Sequence, residues 1–157
     1  MKVLKIIVII LLLLYFSFSC RKENFIISDS ASLSFSIDTV TFDTIFTQIG
    51  STTKNFRVYN PHNQAIRISN IYLAGGQNSY FRINIDGDIS SSVNNIEIPS
   101  KDSLYIFVEV TIDPFGANNP MIVKDSIVFM TNGNYQDIKL IAFGQDVHLI
   151  NGEIIES

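Results

Sequence analysis

Apolar and polar residues alternate along most of the chain after residue 32. In "SLSFSI" the apolar residues Leu33, Phe35 and Ile37 fall on one side of the chain, and serines fall on the other. The same period of two recurs in "TVTFDTIF", "NFRVYN", "AIRISNIYL", "YFRINID", "DSLYIFVEVTI", "DSIVFMT" and "DIKLIAFG". Alternation over short stretches rich in Ile, Val, Phe, Tyr and Thr is typical of half-buried strands. The pattern therefore predicts an all-β domain.

Turn-forming residues separate these stretches. The strand ends are marked by Asn60-Pro61, Gly75-Gly76, Asp86-Gly87 and Asp113-Pro114. Asn132-Gly133 predicts a tight hairpin, because a type I′ turn needs positive φ at both of its central residues. Short strands with turns at this spacing predict an immunoglobulin-like antiparallel β-sandwich of seven to eight strands over residues 33–147. A closed barrel is the alternative architecture.

The first nineteen residues have a different pattern. Lys2 and Lys5 form a basic head, and an unbroken apolar run follows from Ile6 to Phe16. This run is short for a membrane span, which needs roughly 20 residues. A basic head, a short apolar run and small residues at its end are typical of an export signal. Residues 1–19 are therefore predicted to be a signal peptide with a helical apolar segment.

The only cysteine of the chain, Cys20, directly follows this segment. A signal that ends at cysteine resembles the bacterial lipoprotein signal, in which cleavage follows the preceding residue and the cysteine is lipidated. The resemblance makes Ser19 the residue at the cleavage point and Cys20 the lipidation site. Ser17 stands where this family usually has leucine. The alternative is an uncleaved signal anchor in which Cys20 is an incidental thiol.

Residues 20–32 are predicted to be a polar tether between the lipid anchor and the domain. Lys22-Glu23 partly resembles the signal that directs lipoproteins of the Bacteroidetes to the outer face of the cell, although Asn24 stands where a further acid is expected. An ordinary solvated tether is the alternative interpretation. The expected location is the cell envelope, as an outer membrane lipoprotein that is either periplasmic or surface-exposed.

The charge of the chain bears on its partners. The 157 residues have a formal net charge of −4, and removal of the two signal lysines leaves the rest of the chain more acidic. An acidic surface argues against nucleic acid as a partner. The expected partners are the membrane, through the lipid anchor, and a protein or a glycan at the cell surface.

The sequence offers no recognisable catalytic or cofactor motif. The two histidines, His62 and His148, lie far apart, and His62 is expected to be an exposed loop residue. No serine lies in a G-x-S-x-G turn, and no glycine-rich phosphate loop precedes a helix. We therefore expect no catalytic residues, no metal site and no cofactor, and interpret the chain as a non-enzyme.

Acidic residues near the turns have a structural interpretation. The "DGD" at residues 86–88 resembles a calcium loop only in its paired carboxylates, since the EF-hand spacing is absent. A solvated hairpin tip is the expected structure. Asp102, Asp125 and Asp137 are each expected just before a strand, where they mark a turn and charge the strand end.

The aromatic residues permit a second interpretation. The chain has twelve Phe and six Tyr but no Trp. Five tyrosines are expected in or beside strands, and an exposed aromatic row among them would favour glycan binding: Tyr59, Tyr72, Tyr80, Tyr105 and Tyr135. Otherwise these rings cover strand faces with their hydroxyls at water.

One stretch has a more definite likeness. "FDTIFTQIGSTTKNFRVYNPHNQAIRISNIYLAGG" resembles the opening of immunoglobulin-like modules of the ASPM/SPD-2/Hydin kind. Together with "NSYFRINIDG", "DSLYIFVEVTIDP" and "DSIVFMTNGNYQDIKLIAFGQDV", it is similar to Bacteroidetes lipoproteins of unassigned function. In that set a parallel β-helix often follows the sandwich. Residues 148–157 resemble the first strand of such a region, so the chain is either a naturally short member or the product of a shortened reading frame.

Three functions follow as hypotheses. The first is a non-enzymatic, membrane-anchored domain that acts as a spacer or as a cell-surface interaction or adhesion module. The second is a glycan- or polymer-binding lipoprotein of a nutrient-uptake system. The third is a fragment of an enzyme whose active site belongs to a missing C-terminal part. Fold alone does not choose between them.

Overall fold

The computed structural model describes residues 24–46, 53–111 and 122–145. These residues form ten strands and one short 3₁₀ turn, with no α-helix among them. In chain order the elements are β1 (Ser34–Phe35), β2 (Thr39–Phe46), β3 (Lys54–Tyr59), β4 (Ile66–Leu73), the 3₁₀ turn (Gly76–Asn78), β5 (Phe81–Ile85), β6 (Asp88–Ser90), β7 (Ser92–Ile98), β8 (Ser103–Val110), β9 (Ile122–Thr131) and β10 (Asn134–Gln145).

The strands form two five-stranded sheets. Sheet one has the order β1-β3-β8-β5-β6, and sheet two has the order β2-β10-β9-β4-β7. Neighbouring strands are antiparallel except β2 and β10, which are parallel. The predicted immunoglobulin-like sandwich is confirmed, with two differences: its described residues form ten strands instead of seven to eight, and one pair is parallel. Two separate sheets rule out the alternative of a closed barrel.

The inward faces of the two sheets share one apolar core. Aromatic rings connect the layers: Phe35 of sheet one lies 4.9 Å from Phe129 of sheet two, between ring centroids. Phe56 meets the same Phe129 edge-on at 6.5 Å, and Phe42 of sheet two faces Phe81 of sheet one at 6.0 Å. Contacts of this kind add stability beyond the area that they bury. The predicted inward residues of β3, β4, β5 and β8 are buried here, except Leu104, which is half-buried.

The structure contains two strands that the alternation does not predict. β6 has three residues, and β7 has the sequence "SVNNIEI". Asn95 lies in the middle of β7 with φ of 57°, a left-handed conformation that interrupts the period of two. Asparagine adopts this conformation more readily than other residues with a side chain. β7 is an edge strand, so the irregularity at Asn95 also disfavours pairing with another chain.

Two other expectations about strand residues are wrong. Ile37 is exposed, because β1 ends at Phe35 and the chain bends at Ser36. Asp125 and Asp137 lie inside β9 and β10, not before strands. β9 and β10 both begin before the apolar stretches that the sequence shows. Asp125 and Asp137 therefore occupy regular positions within the ladder.

Asp125 holds the 3₁₀ turn against sheet two. Its Oδ1 accepts hydrogen bonds from the backbone N–H of Gly75 at 3.0 Å and of Ser126 at 2.7 Å, and its Oδ2 accepts one from the Ser79 hydroxyl. A Cβ atom at Gly75 would lie 2.9 Å from Asp125 Oδ2. A larger residue at position 75 would therefore force the Asp125 carboxylate to shift.

Asn60 of the predicted Asn-Pro turn is buried, with 1% of its surface exposed. Its Nδ2 donates to the backbone oxygens of Gln64 at 2.8 Å, Ile98 at 3.0 Å and Pro99 at 2.9 Å. Its Oδ1 accepts from the N–H of His62 at 3.0 Å. One amide thus satisfies backbone groups in the β3–β4 and β7–β8 connections, which would otherwise be buried without partners.

The Asn132-Gly133 hairpin has the predicted geometry. Both residues have positive φ, 49° and 85°, and the flanking Thr131 and Asn134 form the first pair of the β9–β10 ladder. This two-residue loop fixes the register between β9 and β10.

We expect Asn60→Ala to lower the free energy of unfolding by about 2–3 kcal/mol, because it leaves buried carbonyl groups without a donor. Asn63→Ala, which alters an exposed residue of the same loop, is the matched control and should change stability by less than about 0.5 kcal/mol. Chemical denaturation of both variants measures the difference. Equal stabilities for the two variants would contradict this role of Asn60.

Candidate functional site

The predicted anchor lies outside the described residues. The residues concerned are Cys20 and Ser19 of the anchor and the Lys22-Glu23 pair of the address signal. His148 also lies outside the described residues. Within the part of the chain that the structure describes, no helix has the length and apolar character needed to span a membrane.

Two other candidates from the sequence, His62 and the segment of residues 86–88, lie within the described residues. His62 is half-buried, and its Nε2 lies 2.9 Å from the backbone oxygen of Ser32 and 3.3 Å from its nitrogen, so it is not a free loop residue. The "DGD" segment forms the tight turn between β5 and β6, as predicted, with Asp86 and Gly87 at positive φ. Residues 24–46, 53–111 and 122–145 contain no group of His, Cys, Asp and Glu side chains arranged to hold a metal.

A segment of the predicted tether lies against the sandwich. We call residues 24–33 the N-terminal strap. Asn132 Nδ2 donates to the backbone oxygens of Ile26 and Ser28, both at 3.0 Å. Gln136 forms a reciprocal pair with Leu33: its Oε1 accepts from the N–H at 2.8 Å, and its Nε2 donates to the carbonyl at 2.9 Å. The strap is therefore bound to the β9–β10 turn and to the beginning of β10.

The first residues of the strap also contact sheet two. Phe25 forms a parallel bridge with Ala65, and the N–H of Ile26 donates to the Ala65 carbonyl at 2.9 Å. The guanidinium of Arg67 lies 4.2 Å from the centroid of the Phe25 ring, and it also pairs with Glu97 at 2.7 Å. A cation over an aromatic face is attracted by the ring quadrupole. These contacts place the strap at the end of the sandwich where β4 begins and β9 ends.

The chain enters and leaves the sandwich at opposite ends. The strap lies beside the first residues of β10, whereas Gln145, the last described residue, ends that strand after twelve residues. A strand of this length spans about 40 Å, at roughly 3.3 Å per residue. The strap and Gln145 are therefore separated by about that distance.

The outer face of sheet one carries an aromatic cluster. Tyr105 and Phe107 project from β8 with 41% and 40% of their surface exposed, and their rings stack with centroids 6.3 Å apart and planes inclined by 28°. Arg57 of β3 lies across the sheet from Tyr105, with its guanidinium 4.4 Å from the ring centroid and one nitrogen in contact with the hydroxyl. Arg57, Tyr105 and Phe107 form a continuous exposed line.

Two amides flank this line. The register places Asn55 of β3 and Asn84 of β5 on either side of Phe107, and it places Ile89 of β6 beyond Asn84. Asn84 uses its Oδ1 to accept from the N–H of Gly87 at 3.0 Å. We name the surface formed by residues 55, 57, 84, 105 and 107 the aromatic face. It combines stacking surface, amide groups and one cation.

The remaining charges of this side of sheet one lie at its far end. Arg82 and Glu109 face one another in the β5–β8 ladder. Arg82 donates to the carbonyls of Ser79 and Phe81, each at 2.7 Å, and Glu109 accepts from the hydroxyl of Thr53 at 3.0 Å. Both side chains thus have partners within the protein.

The tyrosines predicted to cover strand faces differ in exposure. Tyr59 and Tyr72 are half-buried, whereas Tyr80 and Tyr135 are exposed. Tyr135 lies on the outer face of sheet two, opposite Met130 in the β9–β10 ladder. Of these five residues, Tyr105 alone has a second aromatic ring stacked on it among the described pairs.

A shallow, open cleft lies where the chain crosses from β1 to β2. Its volume is about 660 Å³, and residues 33–35, 37–39, 137 and 138 line it. Its two carboxylates are Asp38 and Asp137, and the second is paired with Lys139 at 2.5 Å. The aromatic face is the better candidate for binding, because it presents stacked rings and a cation to solvent.

The sequence does not predict this face, although its residues are all in recognised strands. Arg57 and Tyr105 each fall on the polar side of an alternating stretch, which indicates exposure. Their contact depends on the pairing of β3 with β8, which are 48 positions apart at these residues. Alternation within one strand indicates the face of a residue but not its cross-strand neighbour.

Comparisons with known proteins give matches to solved structures only. No protein-family model matches the chain, and neither does any curated protein. Among solved structures, the chain is similar to the Salmonella enterica SafA pilin in complex with the SafB chaperone, with 12% identity and a TM-score of 0.47 over 78% of this chain and 58% of that chain.

Two other solved structures have a similar fold. One is a family 123 glycoside hydrolase from Clostridium perfringens, with 8% identity and a TM-score of 0.49 over 71% of this chain and 23% of that chain. The other is WR4, a C. elegans MSP family member, with 8% identity and a TM-score of 0.43 over 73% of this chain and 99% of that chain. The chain spans less than two thirds of the Salmonella and Clostridium chains that it matches.

We expect Gln136→Ala to release the strap, because it removes both hydrogen bonds to Leu33 and costs about 1–3 kcal/mol locally. Hydrogen exchange of the Leu33 amide should accelerate by about tenfold or more in this variant. Gln64→Ala, a change at an exposed glutamine, is the matched control and should leave this rate unchanged. An unchanged rate in Gln136→Ala would contradict the proposed attachment of the strap.

Proposed function

We propose that the chain is a lipid-anchored, non-enzymatic domain of the bacterial cell envelope that acts as a spacer and interaction module. The observation that carries the proposal is the position of Cys20, the only cysteine, at the end of an export-type signal. The likeness to Bacteroidetes lipoproteins is in accord with it. The sandwich fold supports an interaction role in general terms, since such folds present large outer faces and end loops.

An acyl anchor provides sufficient affinity for a membrane. Each buried CH₂ contributes about 0.8 kcal/mol, and stable attachment needs two lipid signals. The resemblance implies three acyl chains on Cys20. Such an anchor holds a domain at the lipid surface without any part of the domain crossing the membrane.

The strap supports a defined orientation under this proposal. Phe25 lies five positions after Cys20, so the two residues are at most about 18 Å apart. The strap end of the sandwich would then lie next to the membrane, and the end at Gln145 would lie about 40 Å further out. This arrangement suits a spacer that carries a following segment away from the lipid.

The location belongs to the same proposal. An outer membrane lipoprotein is expected, either periplasmic or surface-exposed, and Lys22-Glu23 only partly matches the surface address signal. The partners would be the membrane and a protein or glycan of the envelope. The acidic chain disfavours nucleic acid.

A second candidate function is glycan or polymer binding within a nutrient-uptake system. The pair of Tyr105 and Phe107 favours it, because two adjacent exposed rings offer apolar surface to sugar rings. Amide groups beside the rings offer donors and acceptors for hydroxyl groups.

Metabolic labelling with a fatty-acid analogue tests the anchor. The wild-type chain should take up the label and Cys20→Ala should not, because the thiol is the attachment atom. Ser19→Ala keeps a small residue before the cysteine and is the matched control, which should be labelled as strongly as the wild type. Labelled Cys20→Ala, or an unlabelled wild type, would contradict the proposal.

A further inference from the structure

Arg57 belongs to neither of the two ion pairs in the described residues. The ion pairs there are Arg67 with Glu97 and Lys139 with Asp137. Arg57 has no carboxylate partner among the described residues: its guanidinium lies over the Tyr105 ring and one nitrogen contacts the Tyr105 hydroxyl. Arg57 is exposed, so the other N–H groups of its planar guanidinium are accessible from solvent.

Arg57 gives the aromatic face a positive charge, although the chain as a whole is acidic. The formal net charge is −4, whereas the aromatic face contains Arg57 and no acidic residue. Glu109, the nearest acid along β8, lies beyond Phe107 and faces Arg82. The local charge of the aromatic face is therefore positive, and this local charge favours a carboxylate beside Arg57.

The neighbours of Arg57 select for a ring-bearing ligand. Tyr105 and Phe107 are adjacent outward positions on one strand, so their rings form a strip along β8 rather than a closed pocket. The side-chain amide of Asn55 and the Nδ2 of Asn84 make no hydrogen bond within the described residues, and both groups flank Phe107 in the ladder, so both can reach a ligand above that ring. An extended polymer with hydroxylated rings and carboxylates matches all three features.

We propose that the aromatic face binds a polymer of uronic acids, with Arg57, held over the Tyr105 ring, pairing with a sugar carboxylate and Phe107 stacking against a sugar ring. The inference rests on the proposed interaction function, and it names the partner class of that face. Guanidinium and carboxylate form paired charge-assisted hydrogen bonds, which neutral sugars cannot form. The amides of Asn55 and Asn84 contact the hydroxyl groups.

Affinity electrophoresis of the purified full-length chain in detergent tests the proposal. The gels contain polygalacturonate, alginate, methyl-esterified polygalacturonate or poly-glutamate. At least one of the two uronates should retard the wild type, with weaker retardation by the ester, which keeps the rings and loses the charge. Arg57→Ala and Phe107→Ala should each raise the Kd for that uronate by about tenfold or more.

Matched variants lie on the opposite sheet. Tyr135→Ala removes an exposed ring and Lys124→Ala an exposed cation from the outer face of sheet two, and each should change the Kd by less than about twofold. Circular dichroism should show an unchanged fold for all four variants, since the altered side chains are exposed.

Three results would overturn the proposal. They are equal retardation by the ester, stronger retardation by poly-glutamate than by either uronate, and no retardation by any uronate. Because the assay uses protein in detergent, these results leave the lipid anchor untouched, and a failure of fatty-acid labelling leaves the binding result untouched.

Discussion

The contact between the two sheets is the constraint on which the rest of the structure depends. Phe129 packs against Phe35 and Phe56 of the opposite sheet, and Phe42 packs against Phe81 in the same way. The chain has one cysteine, so no intrachain disulfide assists this core. Stability therefore depends on apolar burial between the layers, which alternation makes available by placing every second residue inward.

The same alternation leaves every second residue outward, and these outward residues are free to serve function. On sheet one they form a line of Arg57, Tyr105 and Phe107. At the end of the sandwich, the strap is bound by side-chain amides, including those of Asn132 and Gln136, rather than by a regular ladder. The core thus supports both the aromatic face, for which binding is proposed, and the strap at the exterior of the sandwich.

The sequence predicts the fold class, eight strands and most of the core, because these depend on local alternation and turn residues. It does not predict β7, since Asn95 in a left-handed conformation disrupts the period that identifies a strand. It also does not predict the roles of Asn60, Asp125 and Arg57. Each of these side chains acts on a segment that is distant along the chain, at separations that only the strand pairing determines.

The central claim is that an acyl anchor and a bound strap fix one end of the sandwich at the membrane. Energy transfer to an acceptor lipid tests it most directly, in acylated protein reconstituted into vesicles. Fluorophores are attached through Asn63→Cys in the β3–β4 loop and Asn78→Cys in the 3₁₀ turn, at opposite ends of β4. The account predicts markedly greater transfer from position 63. Equal transfer from the two positions, or greater transfer from position 78, would contradict it.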